Sequence, residues 1–341
     1  MNLWFDILYD LALLLAAALS VFGLRAFFRK RYMRPAVQQL RSLWHVRLSF
    51  YIIVFYFGAG FLDLLVIPGK HHNNTVLDFL FSGVPQERTY SAPLARRMTG
   101  VKPGTELQPE NQLKGRHLLG TDINGYDVFY KVLKGARTAL LLAMGSTLIS
   151  FPVGILLGML AGYFGGWVDD IIVWLYTTVA SIPWILFAVA FLSVFGRSLF
   201  WICVAFGITG WVGLARLLRG ETLKHKSMDY IQSAVATGIP RWRILLVHLL
   251  PNLFHLVLIT FSLSASSIIL AESVLTFIGI GVEPGTDSWG IMLTESQQEL
   301  TRSPVVYWIF AGSSFLGILP LVLCLNLLGD ALRDALDPRT A

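Results

Sequence analysis

Residues Asp229–Asn252 read DYIQSAVATGIPRWRILLVHLLPN, a polar and basic interlude between two long apolar runs. Asp229 suits a helix N-cap, and Ser233, Ala234 and Ala236 keep the helix that follows thin enough for close backbone approach. Gly238 suits the left-handed position just past a helix end, and Pro240 the first turn of a new helix. Arg241 and Arg243 then place cations on that second helix. The spacing predicts a helix–Gly–helix elbow at a membrane surface, shaped to be gripped by another protein. A bare loop between two spans needs none of these devices; the alternative is an ordinary amphipathic connector.

Composition agrees with a membrane setting. The 341 residues are 55% hydrophobic and only 14% charged, and several stretches reach the roughly 20 apolar residues that span a bilayer. The net charge of +6 does not mark a nucleic-acid face, because the basic residues collect beside apolar segments, where they set membrane orientation. Cys203 and Cys324 both lie in apolar runs and are expected to be buried free thiols.

Seven spans are predicted, near residues 3–28, 48–67, 138–161, 170–195, 199–219, 253–278 and 305–329. Helices follow, since lipid cannot satisfy exposed backbone polar groups. Arg25–Arg47 carries seven basic residues and no acid. Arg216–His248 carries six Lys/Arg against two acids, whereas Gly279–Pro304 carries four acids and one Arg. These asymmetries put the first two segments in the cytoplasm, the N-terminus outside and the C-terminus inside. The first span lacks a basic leader and begins with Asp6 and Asp10, which favours a retained anchor over a signal peptide. Residues 68–137 read as a long extracytoplasmic loop, irregular because of Pro85, Pro93, Pro103 and Pro109. The resulting domains are 1–47 (anchor and basic linker), 48–137 (span and long loop), 138–330 (core, with a cytoplasmic loop at 220–252) and 331–341 (tail).

Within the spans, Ser150, Gly154, Gly158 and Gly162 recur every four residues, a stripe that lets another helix approach closely, within the chain or in a second subunit. Ser262 and Ser266 sit in a locally polar stretch and are candidates for lining a pathway. Asp63 and Glu272 are expected to lie near an interface and reach water. His71-His72 is expected to be solvent-exposed. Asp122, Asn124 and Asp127 mimic part of a calcium loop but lack its downstream Glu. A phosphate-binding loop with Lys-Ser/Thr, H-E-x-x-H and a nucleophile elbow are all missing from the sequence, so no catalytic residue or metal site is expected.

The 229–251 spacing resembles the E-A-A-x3-G-x9-I-x-L-P loop of ABC-importer permeases, with Gln232-Ser233-Ala234 at E-A-A, Gly238 at the glycine and Leu250-Pro251 at the end. His248 in place of the isoleucine, with Asn252 after the proline, is similar to the peptide/nickel branch. HLLGTDINGYDVFYKVLKGARTAL (His117–Leu140) resembles that branch's G-T-D-x-x-G-R-D-V stretch, with Tyr126 where the Arg usually stands. AGYFGGWVD (161–169), GWVGLARLLRGETL (210–223), AESVLTFIGIGVEPGTDSWGIML (271–293) and NLLGDALRDALDPR (326–339) resemble further family segments.

The resemblance implies an all-α, polytopic transmembrane bundle with the type I ABC importer permease fold and one extra N-terminal helix, in the bacterial inner membrane. It implies half of a translocation path for short peptides or peptide-like solutes; nickel or another small solute remains open. Implied partners are a second homologous permease, two cytoplasmic ABC ATPases, an extracytoplasmic solute-binding protein and membrane lipid, with no nucleic acid. No cofactor is implied on this chain, ATP and Mg²⁺ belonging to the ATPases. ATPase coupling would fall to Tyr230, Gln232, Ser233, Ala234, Gly238, Arg241, Arg243 and Pro251. An ion-coupled secondary transporter would show internal repeats and mid-membrane charges, neither of which is evident. A non-transporting scaffold would use the elbow for docking alone.

Overall fold

The computed structural model describes residue 10 and residues 40–67, 75–99 and 112–336. The predicted span at 3–28 (apart from Asp10), His71-His72 and the last five residues lie outside that set. The described residues are helical, with isolated bridges and no β-strand. The helices are α1 (Trp44–Leu64), α2 (Val76–Leu80), α3 (Val128–Phe164), α4 (Gly166–Ser181), α5 (Trp184–Phe195), α6 (Leu199–Lys226), α7 (Asp229–Ala236), α8 (Arg241–Phe277), α9 (Trp289–Glu299) and α10 (Trp308–Leu336). Five of them, α1, α3, α6, α8 and α10, are long and apolar enough to cross a membrane.

The span predicted at 170–195 is broken. Helices α4 and α5 meet at 81°, because Pro183 forces Ile182 out of the helical region, to φ −87° and ψ 121°. Helices α3 and α8 have 37 residues each, about 55 Å of helix and well beyond a ~30 Å hydrocarbon core. Their ends therefore reach into polar surroundings. Asp127 caps the start of α3: its Oδ1 accepts from the N–H groups of Phe129 and Tyr130 at 2.8 and 3.1 Å.

The chain divides into two compact units, residues 1–140 with 272–324 and residues 141–271 with 325–341. In the first, Trp289 is 1% exposed. Its ring meets Tyr56 edge-on at 5.8 Å, and its Nε1 donates to the Val132 carbonyl at 2.8 Å. Asp63 and Glu272 do not reach water, contrary to expectation; they are 1% and 3% exposed. Asp63 accepts from Thr75 Oγ1 at 2.7 Å and lies 3.6 Å from Arg137. Glu272 Oε1 accepts from Ser288 at 2.7 Å and Thr276 at 2.9 Å. A buried carboxylate persists only when donors replace its water, and here hydroxyls and a guanidinium do so.

In the second unit the small-residue stripe packs within the chain. A Cβ on Gly154, Gly158 or Gly162 would lie 3.0, 2.6 or 2.7 Å from the carbonyl oxygens of Trp211, Ala215 and Arg219 in turn. The two four-residue registers interlock α3 with α6. Across the α4–α6 contact, Arg219 grips Asp169 with two bonds of 2.5 and 2.7 Å.

Candidate coupling elbow

Helix α6 ends at Lys226 with Lys224, His225 and Lys226 in its last turn, and the two lysines are cations that favour the negative helix end. Met228, not Asp229, occupies the N-cap of α7, and no side chain caps it. Asp229 is the first helical residue, where its charge faces the N-terminal dipole. The far end follows expectation. Gly238 has φ +76°, its N–H donates to Val235 O at 3.0 Å, and Ile239 N–H donates to Ala234 O at 3.1 Å. This pair of bonds closes a helix through a left-handed glycine. Pro240 is the cap preceding α8, at φ −62° and ψ 141°, one residue earlier than its expected place inside the first turn.

The elbow has two faces. Ile231 and Ala234 of α7, with Ile244, Leu245 and Leu249 of α8, are buried in one cluster with Phe151, Met159 and Tyr163 of α3 and Leu214 and Leu218 of α6. Gln232, Ser233, Ala236, Thr237, Gly238, Arg241 and Arg243 are exposed, together with Val235 at 52% and Trp242 at 59%. The Arg241 guanidinium lies 5.9 Å from the Phe164 ring and that of Arg243 5.6 Å from Trp242. Among the described residues neither Arg makes an ion pair.

Of the eight predicted coupling residues, Gln232, Ser233, Gly238, Arg241 and Arg243 thus share the exposed side. Ala234 faces the core, and Tyr230 and Pro251 are half-buried. The Tyr230 hydroxyl lies 2.7 Å from His225 Nδ1, and burial pushes its phenol above the ordinary value. Held as O–H, it donates to that nitrogen and ties α7 to the end of α6. Gln232 Nε2 donates to Lys226 O at 3.0 Å across the same corner.

Pro251 acts on the helix itself. The turn before it, Ile244–Leu249, is a π-helix, and Leu250 N–H donates five residues back to Leu245 O. Proline lacks the N–H and crowds the carbonyl four residues behind, and a widened turn accommodates both. The same arrangement precedes Pro320: Gly312–Ile318 is a π-helix, and Leu319 N–H donates to Ser314 O.

Ser262 and Ser266 are 4% and 3% exposed. Ser262 Oγ donates to Leu325 O at 2.5 Å, and Ser266 Oγ bonds Asn326 Oδ1 at 2.7 Å. Their hydroxyls bond across the seam between α8 and α10. The two carboxylates of the calcium-like trio are bonded within the protein. Asp122 accepts from the N–H groups of Asn124 and Tyr126, both at 2.9 Å, and from Lys131 at 2.8 Å; Asp127 Oδ2 lies 2.8 Å from His117 Nδ1. Sequence reasoning missed the Asp169–Arg219 pair and the apolar anchors Ile231, Ile244 and Leu249. The i, i+3 spacing of Ile231 with Ala234 was the available signal for the buried face.

Apolar spans long enough to cross a bilayer, two of them joined by a two-faced, cation-bearing elbow, define a polytopic helical membrane protein. The chain belongs to the family described as binding-protein-dependent transport system inner membrane component, which it matches over residues 154–341. It is 36% identical over 227 residues to the oligopeptide transport system permease protein OppC of Haemophilus influenzae, covering 67% of this chain and 72% of that protein. It is 39% identical to the glutathione transport system permease protein GsiD of Pectobacterium atrosepticum (65% and 73% covered). It is 34% identical to the dipeptide transport system permease protein DppC of Bacillus subtilis (65% and 69% covered). It is a multi-pass inner-membrane permease of the ABC importer class.

Proposed function

We propose that this chain forms half of the translocation pathway of an ATP-driven importer for short peptides or peptide-like solutes, and that the elbow at 229–251 receives the ATPase. The carrying observation is the elbow's two-faced build. Its exposed side offers Arg241, Arg243 and Trp242, while its buried side is continuous with the cores of α3, α6 and α8. A push on the first face is therefore transmitted to the spans. The π-turns before Pro251 and Pro320 supply points where α8 and α10 can bend as access switches sides. The cargo class follows from the relatives, which are peptide and glutathione permeases by name. The partners in this reading are a second permease, two ATPases that bind ATP and Mg²⁺, and an extracytoplasmic binding protein. The N-terminus lies outside and the C-terminus in the cytoplasm.

The test is a mild-detergent purification of the chain from its native membrane, with a photo-crosslinking residue at Arg241. Recovery of an ABC-type ATPase, crosslinked at that position, is the expected result. Purification without an ATPase, together with an empty crosslink, overturns the coupling reading.

A further inference from the structure

The first unit contains a cavity of about 470 Å³, inside the range of small-molecule sites. Tyr126, Tyr130, Ile291 and Met292 give it an apolar and aromatic wall, and Lys131, Lys134, Asp287 and Glu295 give it charge. Lys131 and Lys134 are three residues apart on α3 and so share a face. Each ammonium holds two carboxylates, one deep and one shallow. Lys131 Nζ lies 2.8 Å from Asp122, whose side chain is 2% exposed, and 3.0 Å from Glu295, at 39%. Lys134 Nζ lies 3.1 Å from Asp78, at 15%, and 3.3 Å from Asp287, at 38%. The deep acids hold the lysines in place, whereas the shallow ones are half in water and held by little net energy. The rim backbone is anchored independently: Thr138 Oγ1 donates to Asp287 O at 2.6 Å, and Ser288 Oγ bonds Glu272. The Asp287 side chain can therefore swing without the loop moving.

We propose that this cavity is a docking site for a small zwitterion with a free ammonium and a free carboxylate, the terminal groups of an unblocked short peptide. The ligand carboxylate replaces Glu295 or Asp287 on its lysine, and the displaced carboxylate takes the ligand ammonium. Ion pairs are exchanged rather than lost, so the site charges little for desolvation while rejecting solutes that lack either group. The proposal rests on the peptide-cargo reading, under which this face of the membrane is extracytoplasmic.

The experiment titrates the full chain in lipid nanodiscs with trialanine and with N-acetyl-trialanine amide, followed by saturation-transfer NMR. Free trialanine is expected to bind at least about tenfold more tightly than the blocked form, the worth of roughly one charge-assisted hydrogen bond. The double variant Asp287→Asn/Glu295→Gln is expected to lose about that factor for free trialanine only, with its helical circular dichroism and unfolding midpoint unchanged. Equal binding of the free and blocked peptides by the wild type overturns the proposal, as does undiminished affinity in a folded double variant. Uptake by the assembled importer separates the two readings. Accumulation of trialanine alongside equal binding refutes the docking site alone; charge-selective binding with no accumulation of any peptide refutes the cargo reading and leaves the site standing.

Discussion

Substitution at Gly238 isolates the backbone geometry of the elbow from its packing. The residue sits at φ +76°, and a Cβ built there meets nothing within 4 Å. A side chain thus causes no clash, and the whole penalty is conformational, about 1–2 kcal/mol for an ordinary residue in the left-handed region. At about 1.4 kcal/mol per decade, Gly238→Val lowers the population of correctly turned elbows by roughly 5- to 30-fold. If the turn rearranges instead, the closing bonds from Gly238 and Ile239 are lost, at about 0.5–1.5 kcal/mol each. Asn tolerates the left-handed region, so Gly238→Asn should keep most activity. Asp shares that tolerance, so Gly238→Asp tests charge: a carboxylate on the exposed side that carries Arg241 and Arg243 should abolish uptake while insertion stays intact. The assay is ATP-dependent peptide uptake by the assembled importer in vesicles, normalised to the amount of chain inserted. The expected order is Gly, Asn, Ala, Val, with Val down at least about fivefold. Wild-type uptake by the Val variant, or equal losses for Asn and Val, would refute the reasoning.

Other tests bear on the supports. Gly158→Ala puts a Cβ 2.6 Å from the Ala215 carbonyl oxygen; overpacking of this kind costs about 1–3 kcal/mol, read as a lower unfolding midpoint in detergent, and Gly238→Ala should lower that midpoint less. Asp169→Asn breaks the two-bond grip on Arg219 and should cost about 1.5–3 kcal/mol, part of which Asp169→Asn/Arg219→Met restores. Glu272→Leu strands the hydroxyls of Ser288 and Thr276, at about 1–3 kcal/mol; hydrogen exchange in residues 279–288 should quicken, whereas Glu272→Gln should change it little. Asp78 is pushed upward by burial, but bonds from the Tyr130 hydroxyl, the Thr75 N–H and Lys134 outweigh that and hold its carboxyl below the ordinary 3.8. Its contribution is therefore complete above pH ~4 and disappears as pH falls through the lowered folded value. Asp78→Asn should flatten that acid limb in a pH series of unfolding midpoints, and an unchanged limb would remove Asp78 as its source.

The sequence by itself determined the class of protein and the place of its elbow. Apolar runs of bilayer length leave no alternative to helices, and Gly238 followed by Pro240 fixes a turn through local backbone sterics that no distant contact needs to support. The four-residue stripe from Ser150 to Gly162 was legible for the same reason, since helical periodicity alone puts those residues on one face. What the stripe packs against was not legible: a thin face accepts any close partner, and only the tertiary structure selects the turns of α6 around Ala215 and Arg219. Pairing across distance was equally hidden. Nothing local joins Asp169 to Arg219, Lys131 to Glu295 or Glu272 to Ser288, so Glu272 read as an interfacial acid when it is a buried, fully bonded one. Composition showed Ser262 and Ser266 as polar positions but not their partners; only the fold sets their hydroxyls against Leu325 and Asn326. Local propensity and period are written along the chain, whereas partners depend on which faces folding brings together.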